Sequence, residues 1–413
     1  MSSSAMVTSE LLRLPRRQVR VPLMASILAS AAFLSGCNSI PGLGGPADPI
    51  APPVQQAQPA QPTVAPTGDI IGTGPTRVAI ILPLTQGNQP SGVGTSLRNA
   101  ATLAMEQVGQ SMTLIIKDDG SSPAGARAAA EAAVQEGAQA FVGPLFAANV
   151  REVGAVGRRT NKPVIAFSTD PSVAARGVYL LSFLVESAVN RVVDFAADRG
   201  KKSFAAMIPE SEYGNVALAA FQQAAGRRGL RVVTIERFPE GNPTAAAQRL
   251  GGVAAQIDAL FIPEQPGAMA EVSRALTAAG IKPAQVQVLG TGVWADSRVL
   301  KLPLLQGAWF AAPENSGFND FAQRYRAKFN SDPVRLASLA YDAVTLVGAL
   351  AGAQRLNEAS LTDPNGAVGA DGLFRLRPDG LNDRGLSVQQ IRNGQTTVVS
   401  PAPRSFQGVK PQT

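Results

Sequence analysis

The stretch Val78-Ala79-Ile80-Ile81-Leu82-Pro83 decides the fold of this chain. It is a continuous apolar run that ends at a proline, which is typical of a strand buried on both faces. A helical stretch from Leu97 to Val108 and a second strand from Met112 to Ile116 follow it. A strand, a helix and a strand in this order predict a βαβ unit, and therefore a parallel sheet.

The same alternation of strands and Ala-rich helices continues to Gly200 and then restarts. Two such series in one chain predict an α/β protein with two Rossmann-like lobes. The predicted strands are 78–82, 112–116, 140–142, 164–167 and 179–183 in the first series and 204–208, 231–238, 259–262 and 287–289 in the second. Beyond Trp294 the pattern loosens, and it predicts strands at 308–312, 372–376 and 387–392 and helices at 319–329 and 336–353.

The sequence before Cys37, the only cysteine, is typical of a secretory leader. A basic stretch ending at Arg20 precedes an apolar run from Val21 to Phe33, which is shorter than the ~20 apolar residues of a membrane span. Leu34-Ser35-Gly36-Cys37 resembles the bacterial lipobox, in which the cysteine is acylated and becomes the mature N-terminus. We therefore expect an exported protein whose Cys37 carries a lipid that tethers it to a membrane. The alternative is a plain leader that happens to contain a cysteine.

The composition excludes several classes of chemistry. The chain has no histidine and only one cysteine. This composition excludes Ser-His-Asp triads, the usual zinc sites and a disulfide framework. The net charge of +7 is partly that of the leader, and no basic cluster with stacking aromatics indicates nucleic-acid binding. We expect no catalytic activity, no cofactor and no metal.

Two short motifs admit a functional and a structural interpretation. Gly92-Val93-Gly94 follows the first strand as a dinucleotide-binding loop would, but Leu97 stands where that pattern needs its third glycine. A turn with close backbone approach is the favoured interpretation. Asp118-Asp119 precedes Gly-Ser-Ser-Pro, which favours turn formation and helix capping over a pair of catalytic carboxylates.

Six polar or aromatic residues follow the ends of predicted strands in both lobes. In open α/β sheets the carboxyl ends of the strands face the ligand crevice, so these residues predict a cleft that captures a ligand. They are Phe146, Ser168, Thr169, Tyr213, Gln265 and Trp294.

Several stretches, in this order, resemble the leucine/isoleucine/valine-binding type I periplasmic receptors. They are Val78 to Leu84, Val142-Gly143-Pro144, Pro163 to Ser168, Glu212-Tyr213-Gly214, Ala340-Tyr341-Asp342-Ala343-Val344 and Gly369-Ala370-Asp371-Gly372. The resemblance covers about residues 76–400. It implies two lobes with parallel sheets, joined by a three-crossing hinge and closing over a small ligand.

The domain boundaries that follow from this resemblance and from composition divide the chain into five parts. They are a lipoprotein leader (1–36), a disordered tether rich in Pro, Gln and Ala (37–75), a first lobe (76–200 and 313–368), a second lobe (201–312 and 369–400) and a flexible tail (401–413).

The resemblance also implies which residues hold a ligand, although not all of them carry over. The family binds an amino acid's carboxylate partly through hydroxyls after Gly-Pro, where this chain has Phe146-Ala147-Ala148, while Ser168-Thr169 and Tyr213 are retained. Where the resemblance implies a second aromatic residue, this chain has Gln265. The position of the acid that neutralises the ammonium is occupied by Gly292 in this chain, and Asp296 or Glu264 could serve in its place.

Two functions remain open. The first is a non-enzymatic, lipid-anchored amino-acid receptor of an ABC transport system, with the permease as partner. The second is an outer-membrane lipoprotein that activates a penicillin-binding protein and whose cleft is vestigial. Asn38 after the lipidated cysteine is not the aspartate that retains enteric lipoproteins in the inner membrane, which favours the outer membrane.

Overall fold

The computed structural model describes residues 64–407. The predicted leader, Cys37, the tether up to residue 63 and the tail from residue 408 lie outside the described residues. None of the helices in the described part combines the length and hydropathy that a membrane crossing requires.

The structure contains eighteen strands and eleven α-helices within residues 64–407. The strands are β1 (Ile70–Ile71), β2 (Thr76–Leu82), β3 (Thr85–Gln86), β4 (Gln89–Pro90), β5 (Met112–Asp118), β6 (Ala140–Val142), β7 (Val164–Ala166), β8 (Val178–Leu180), β9 (Ser203–Pro209), β10 (Arg231–Phe238), β11 (Ala259–Phe261), β12 (Gln287–Gly290), β13 (Trp309–Ala312), β14 (Ala367–Gly369), β15 (Gly372–Leu376), β16 (Asn382–Arg384), β17 (Ser387–Arg392) and β18 (Gln395–Ser400). The helices are α1 (Gly92–Val108), α2 (Pro123–Gln135), α3 (Ala147–Thr160), α4 (Val185–Asp198), α5 (Glu212–Arg227), α6 (Thr244–Gly252), α7 (Met269–Ala278), α8 (Ser297–Leu300), α9 (Asn315–Phe329), α10 (Ala337–Gly352) and α11 (Glu358–Leu361).

The first lobe is built on a six-stranded sheet of order β1-β5-β2-β6-β7-β8, parallel except for β1. Strand β2 shows why its apolar run is continuous. Val78, Ile80 and Leu82 enter the core on one face of the sheet, and Ala79 and Ile81 enter the core on the other. Side chains alternate along a strand, so a strand covered on both sides must be apolar at every position.

Helices α1 and α10 pack closely together against one face of this sheet. A glycine at the contact makes that approach possible. A Cβ placed on Gly348 would lie 1.9 Å from a Val108 methyl carbon. Long apolar α10 is therefore a core helix of the first lobe.

The second lobe is built on a seven-stranded sheet of order β10-β9-β11-β12-β13-β17-β18. Strands β9 to β13 are parallel to one another, whereas β17 and β18 are antiparallel additions at one side. Strand β9 repeats the pattern of β2, with Phe204, Ala206 and Ile208 on one face and Ala205 and Met207 on the other. The predicted α/β fold with two lobes and mainly parallel sheets is confirmed.

The chain passes between the lobes at three places, and two of them differ from the predicted boundaries. The first is at residues 181–184, not at 200, because the apolar face of α4 packs on α5 and the second sheet. The second is at residues 313–314, between β13 and α9. The third is at residues 385–386, not at 368, because β15 contributes Phe374 and Leu376 to the first core.

The predicted tether overlaps an ordered segment that begins at Val64. Lys117 Nζ donates to the Thr67 carbonyl (2.8 Å) and to Glu136 Oε1 (2.7 Å) in a buried ion pair. Strand β1 then pairs antiparallel with the edge of β5. The segment is therefore part of the first lobe, although its composition resembles that of a linker.

The predicted tail also begins within the folded part. The Ala402 amide donates to Glu314 Oε1 (2.9 Å), and Phe406 is buried beneath the Arg375 guanidinium, 4.4 Å from the ring centroid. Residues 401–407 therefore cover the side of the small antiparallel sheet β14-β15-β16.

Candidate functional site

Both sheets present the carboxyl ends of their parallel strands at the edge where the first crossing lies. The chain leaves the first lobe after β8 and enters α4 within four residues. Helix α4 precedes the parallel strand β9, and a helix in that position begins at the carboxyl edge of its sheet. Ser182, in that crossing, donates its hydroxyl to the Phe167 carbonyl in the loop that follows β7. The loops after the strand ends of both lobes therefore form the candidate ligand cleft.

The loop after β2 is shaped by a close approach. Ser91 caps α1 by accepting from the Gly94 amide (3.1 Å). A Cβ on Gly94 would lie 2.0 Å from the Pro83 carbonyl oxygen, so only glycine fits there. The glycine-rich motif thus allows the backbone to approach closely, as the structural interpretation predicts.

The two aspartates after β5 hold turns. Asp118 accepts from the Gly120 amide (2.9 Å), and Asp119 accepts from the Ser121 amide (2.8 Å) and from Asn149 Nδ2 (2.9 Å). Ser122 is the residue that caps α2. The prediction of turn formation at Asp118-Asp119 is confirmed, while the helix cap itself comes from the serine.

In the first lobe, three predicted site residues lie at one edge because β6 and β7 are neighbouring parallel strands. Phe146 precedes α3 and is 46% exposed. Ser168 is buried, and its hydroxyl accepts from the Asp170 amide (3.1 Å). Thr169 is exposed. This edge therefore offers one free hydroxyl and an aromatic ring to a ligand.

In the second lobe, Tyr213 is the predicted site residue with the most defined surroundings. Its hydroxyl is 2.6 Å from Thr291 Oγ1, and this hydrogen bond joins the loop after β9 to the loop after β12. Burial raises the pKa of Tyr213 to about 12, and the negative charge of Glu186 acts in the same direction. The tyrosine therefore stays neutral and keeps a hydroxyl proton at any physiological pH.

Glu186 is a functional candidate that the sequence prediction missed. It lies in the first turn of α4, next to the crossing, and its Oε2 is buried without a hydrogen-bond partner among the described residues. Burial raises the pKa of this carboxyl. A sequence signal does exist, since a first-turn acid often stabilises a helix N-terminus, but that signal favours a structural role.

The remaining predicted residues of the second lobe lie apart from this group or are engaged elsewhere. Gln265 is exposed, and its carbonyl accepts from the start of α7. Asp296 caps α8 and forms an ion pair with Arg298 (2.8 Å), whose hydrogen bonds lower the pKa of Asp296 to about 2. Trp294 is wholly buried in the second core, so it does not line a cleft.

Glu264, the other substitute acid, is 5% exposed and accepts from the Gln265 amide (2.6 Å). Burial raises the pKa of its carboxyl. One of its oxygens is therefore committed to the local turn. Among the described acids at this edge, Glu186 is the one with a buried oxygen that no hydrogen bond satisfies.

Comparison with known proteins covers most of the chain. The model of the periplasmic binding protein family matches residues 75–395. No curated protein matches the sequence. Solved structures do match, at low identity.

A protein of Rhodospirillum rubrum assigned to branched-chain amino acid ABC transport is 19% identical, covers 78% of this chain and 99% of its own, and has a TM-score of 0.71. The branched-chain amino acid transporter substrate binding protein of Streptococcus pneumoniae, in complex with isoleucine, is 18% identical over 79% and 99%, with a TM-score of 0.55. An ABC transporter solute binding protein of R. palustris in complex with benzoate is 18% identical over 80% and 97%, also with a TM-score of 0.55. At this identity the likeness concerns the fold.

Proposed function

The chain belongs to the periplasmic binding protein family, and from this premise we propose that it is the substrate-binding receptor of an ABC transport system, with an amino acid or a related ammonium compound as ligand. The receptor is non-enzymatic. Its lobes close over the ligand about the three crossings, and ligand binding shifts the equilibrium between open and closed forms.

The observation that carries this proposal is the unsatisfied carboxylate oxygen, Oε2, of Glu186 beside the Tyr213–Thr291 hydroxyl pair. A buried carboxylate oxygen without a partner is unfavourable, and a ligand ammonium would satisfy both its charge and its hydrogen-bonding capacity. The loop after β7 supplies the exposed hydroxyl of Thr169 for the carboxylate of the ligand, and the Ser168 hydroxyl, which accepts from the Asp170 amide, can still donate. Glu186 thus takes the part that the sequence prediction sought at Gly292 or Asp296.

The test is calorimetric titration of the purified protein with a panel of amino acids, together with melting curves. A ligand at 100 times its Kd should stabilise the protein by ~2.7 kcal/mol. Glu186→Gln should weaken binding at least tenfold. Glu271→Gln is the matched control, because Glu271 is also a first-turn glutamate, of α7, but is exposed. The absence of any melting shift across the panel, or equal affinity of the Glu186 variant, would contradict the proposal.

The receptor is, in the same proposal, exported and held on the periplasmic side of the envelope, favouring the outer membrane, by a lipid on Cys37. The Leu34-Ser35-Gly36-Cys37 sequence supports this assignment. Cys37→Ala should move the protein from the membrane fraction to the soluble fraction. Mass spectrometry of the wild-type N-terminal peptide should detect the acyl chains, and an unmodified Cys37 would refute the anchor.

A second candidate is activation of a penicillin-binding protein by docking. One observation favours it: the loop after β6 offers no hydroxyl, and its Phe146 side chain is nearly half exposed. An exposed aromatic at a strand end suits a protein interface better than a carboxylate subsite. The candidate predicts that a peptidoglycan synthase co-purifies with the wild type and that Phe146→Ala abolishes this. Glycan polymerisation that is unaffected by the purified protein would exclude it.

A further inference from the structure

A second pocket lies in the first lobe between helices α1, α9 and α10 and the β14–β15 hairpin. Its volume is about 400 Å³, within the range that holds small organic molecules. None of the predicted cleft residues lines it. It is therefore a separate site from the strand-end cleft.

The floor of this pocket carries two polar atoms that the protein leaves unsatisfied. Asp342 is 2% exposed; its Oδ1 accepts from the Ala370 amide (2.6 Å), but its Oδ2 is buried without a hydrogen-bond partner in residues 64–407. Thr345 Oγ1 is likewise buried and unpartnered. These two residues are three apart on α10, so they lie on the same face of the helix.

The charged groups around Asp342 make no hydrogen bond to its second oxygen. Arg384 of β16 is buried and acts on Asp342 through its charge, but it makes no hydrogen bond to the carboxyl. Its Nε donates to the Ser182 carbonyl (2.9 Å), and its two terminal nitrogens have no hydrogen-bond partner among the described residues. Arg335 of the loop before α10 is paired with Asp371. One oxygen of Asp342 is therefore fixed by a backbone amide, and the other is buried with no hydrogen-bond partner among the described residues.

The walls and mouth of the pocket indicate which ligand would fit. Arg324 donates to the Tyr341 hydroxyl (2.9 Å), its guanidinium lying 5.1 Å from the ring centroid, so this cation is already engaged. Asp320 adds an exposed carboxylate to the lining, and Val368, which is 77% exposed, adds an apolar wall. The two unpartnered acceptors, Asp342 Oδ2 and Thr345 Oγ1, next to apolar surface suit a cationic donor on a short hydrocarbon body.

We propose that this pocket binds a small organic amine, whose ammonium donates to Asp342 Oδ2 and to Thr345 Oγ1 and whose apolar part lies against Val368. The acceptor at Asp342 sets the preference for an ammonium over a carboxylate. The apolar wall sets the preference for a short alkyl chain over the free ammonium ion. The site is independent of the cleft proposed above.

The experiment is saturation-transfer NMR of the full protein at pH 8 with two probes of equal length, n-butylammonium and butyrate. Butylammonium should give a saturable signal and butyrate none. Asp342→Asn should weaken butylammonium binding at least tenfold, because the amide keeps an oxygen for the Ala370 N–H but places a donor at the Oδ2 position. Thr345→Val is the second variant and should weaken binding severalfold without touching the Asp342–Ala370 bond.

The Glu186→Gln variant separates this proposal from the cleft. It should bind butylammonium as the wild type does, even where it has lost an amino-acid ligand. Equal signals from butyrate and butylammonium, unchanged binding by Asp342→Asn and Thr345→Val, or loss of butylammonium binding in Glu186→Gln would each overturn the proposal.

Discussion

Replacing Asp342 by asparagine should remove a pH dependence of stability that the protein owes to this one carboxyl. Burial raises the pKa of Asp342 to about 7, although the nearby charge of Arg384 acts in the opposite direction. In the unfolded chain the carboxyl returns to the ordinary aspartate value of ~3.9. Between these two values the native state holds a proton that the unfolded state has released.

The sign follows from proton binding. Because the native state binds more protons than the unfolded state, the free energy of unfolding rises as the pH falls, and this stabilisation is lost as the pH rises through about 7. A pKa difference of about three units corresponds to ~4 kcal/mol when it is fully expressed. Between pH 8 and pH 5 we expect ~2.5 kcal/mol of it, since the unfolded carboxyl is still largely ionised at pH 5.

The assay is urea unfolding of wild type and Asp342→Asn at pH 5, 6, 7 and 8. The wild type should gain ~2.5 kcal/mol over the variant on going from pH 8 to pH 5. Buried Asp119, Glu186 and Glu264 also have raised pKa values, but they titrate in both proteins and cancel in the comparison. The exposed Asp320→Asn variant is the control. A wild-type-minus-variant difference that does not change with pH would refute the reasoning.

Three further predictions concern packing and the site. A double-mutant cycle of Tyr213→Phe and Thr291→Val, followed by urea unfolding, should give a coupling of ~1 kcal/mol, the net contribution of one hydrogen bond; additive single effects would contradict the bridge between the two loops. Lys117→Met breaks a buried ion pair and should cost ~3 kcal/mol and speed amide exchange in β1; unchanged exchange there would show that the ion pair does not hold the segment. Gly348→Ala should destabilise the protein by ~1–3 kcal/mol through overpacking between α1 and α10. The control is Gly226→Ala, at a helical position with open space around it, which should stabilise the protein by ~0.5 kcal/mol. Equal effects of the two substitutions in thermal melts would count against the tight contact.

The fold was largely predictable because its signals are local. The apolar runs of β2 and β9 are continuous, so they indicate strands covered on both faces without any knowledge of the covering helices. The family resemblance is confirmed by the match over residues 75–395. The lobe boundaries were less predictable, because α4 looks the same in sequence whichever sheet it packs against.

The candidate site was predictable only in part. Strand-end position placed Ser168, Thr169 and Tyr213 at the carboxyl edges, since strand ends can be read from periodicity. Position gave no information on the partner of each side chain. Asp296, which the sequence offered as a counter-charge, is paired with Arg298 two residues away, while Glu186 is left with an unsatisfied oxygen.

The sequence by itself determined the alternation of strands and helices, the two mainly parallel sheets and the candidate residues at their carboxyl ends, because hydrophobic periodicity and turn residues act over a few positions. Only the tertiary structure decided which carboxyls are satisfied. Asp342 and Glu186 each keep a buried carboxylate oxygen without a hydrogen-bond partner among the described residues, and the surroundings of both are set by segments distant in sequence. Burial and pairing arise from the packing of the whole domain, so no local pattern contains them.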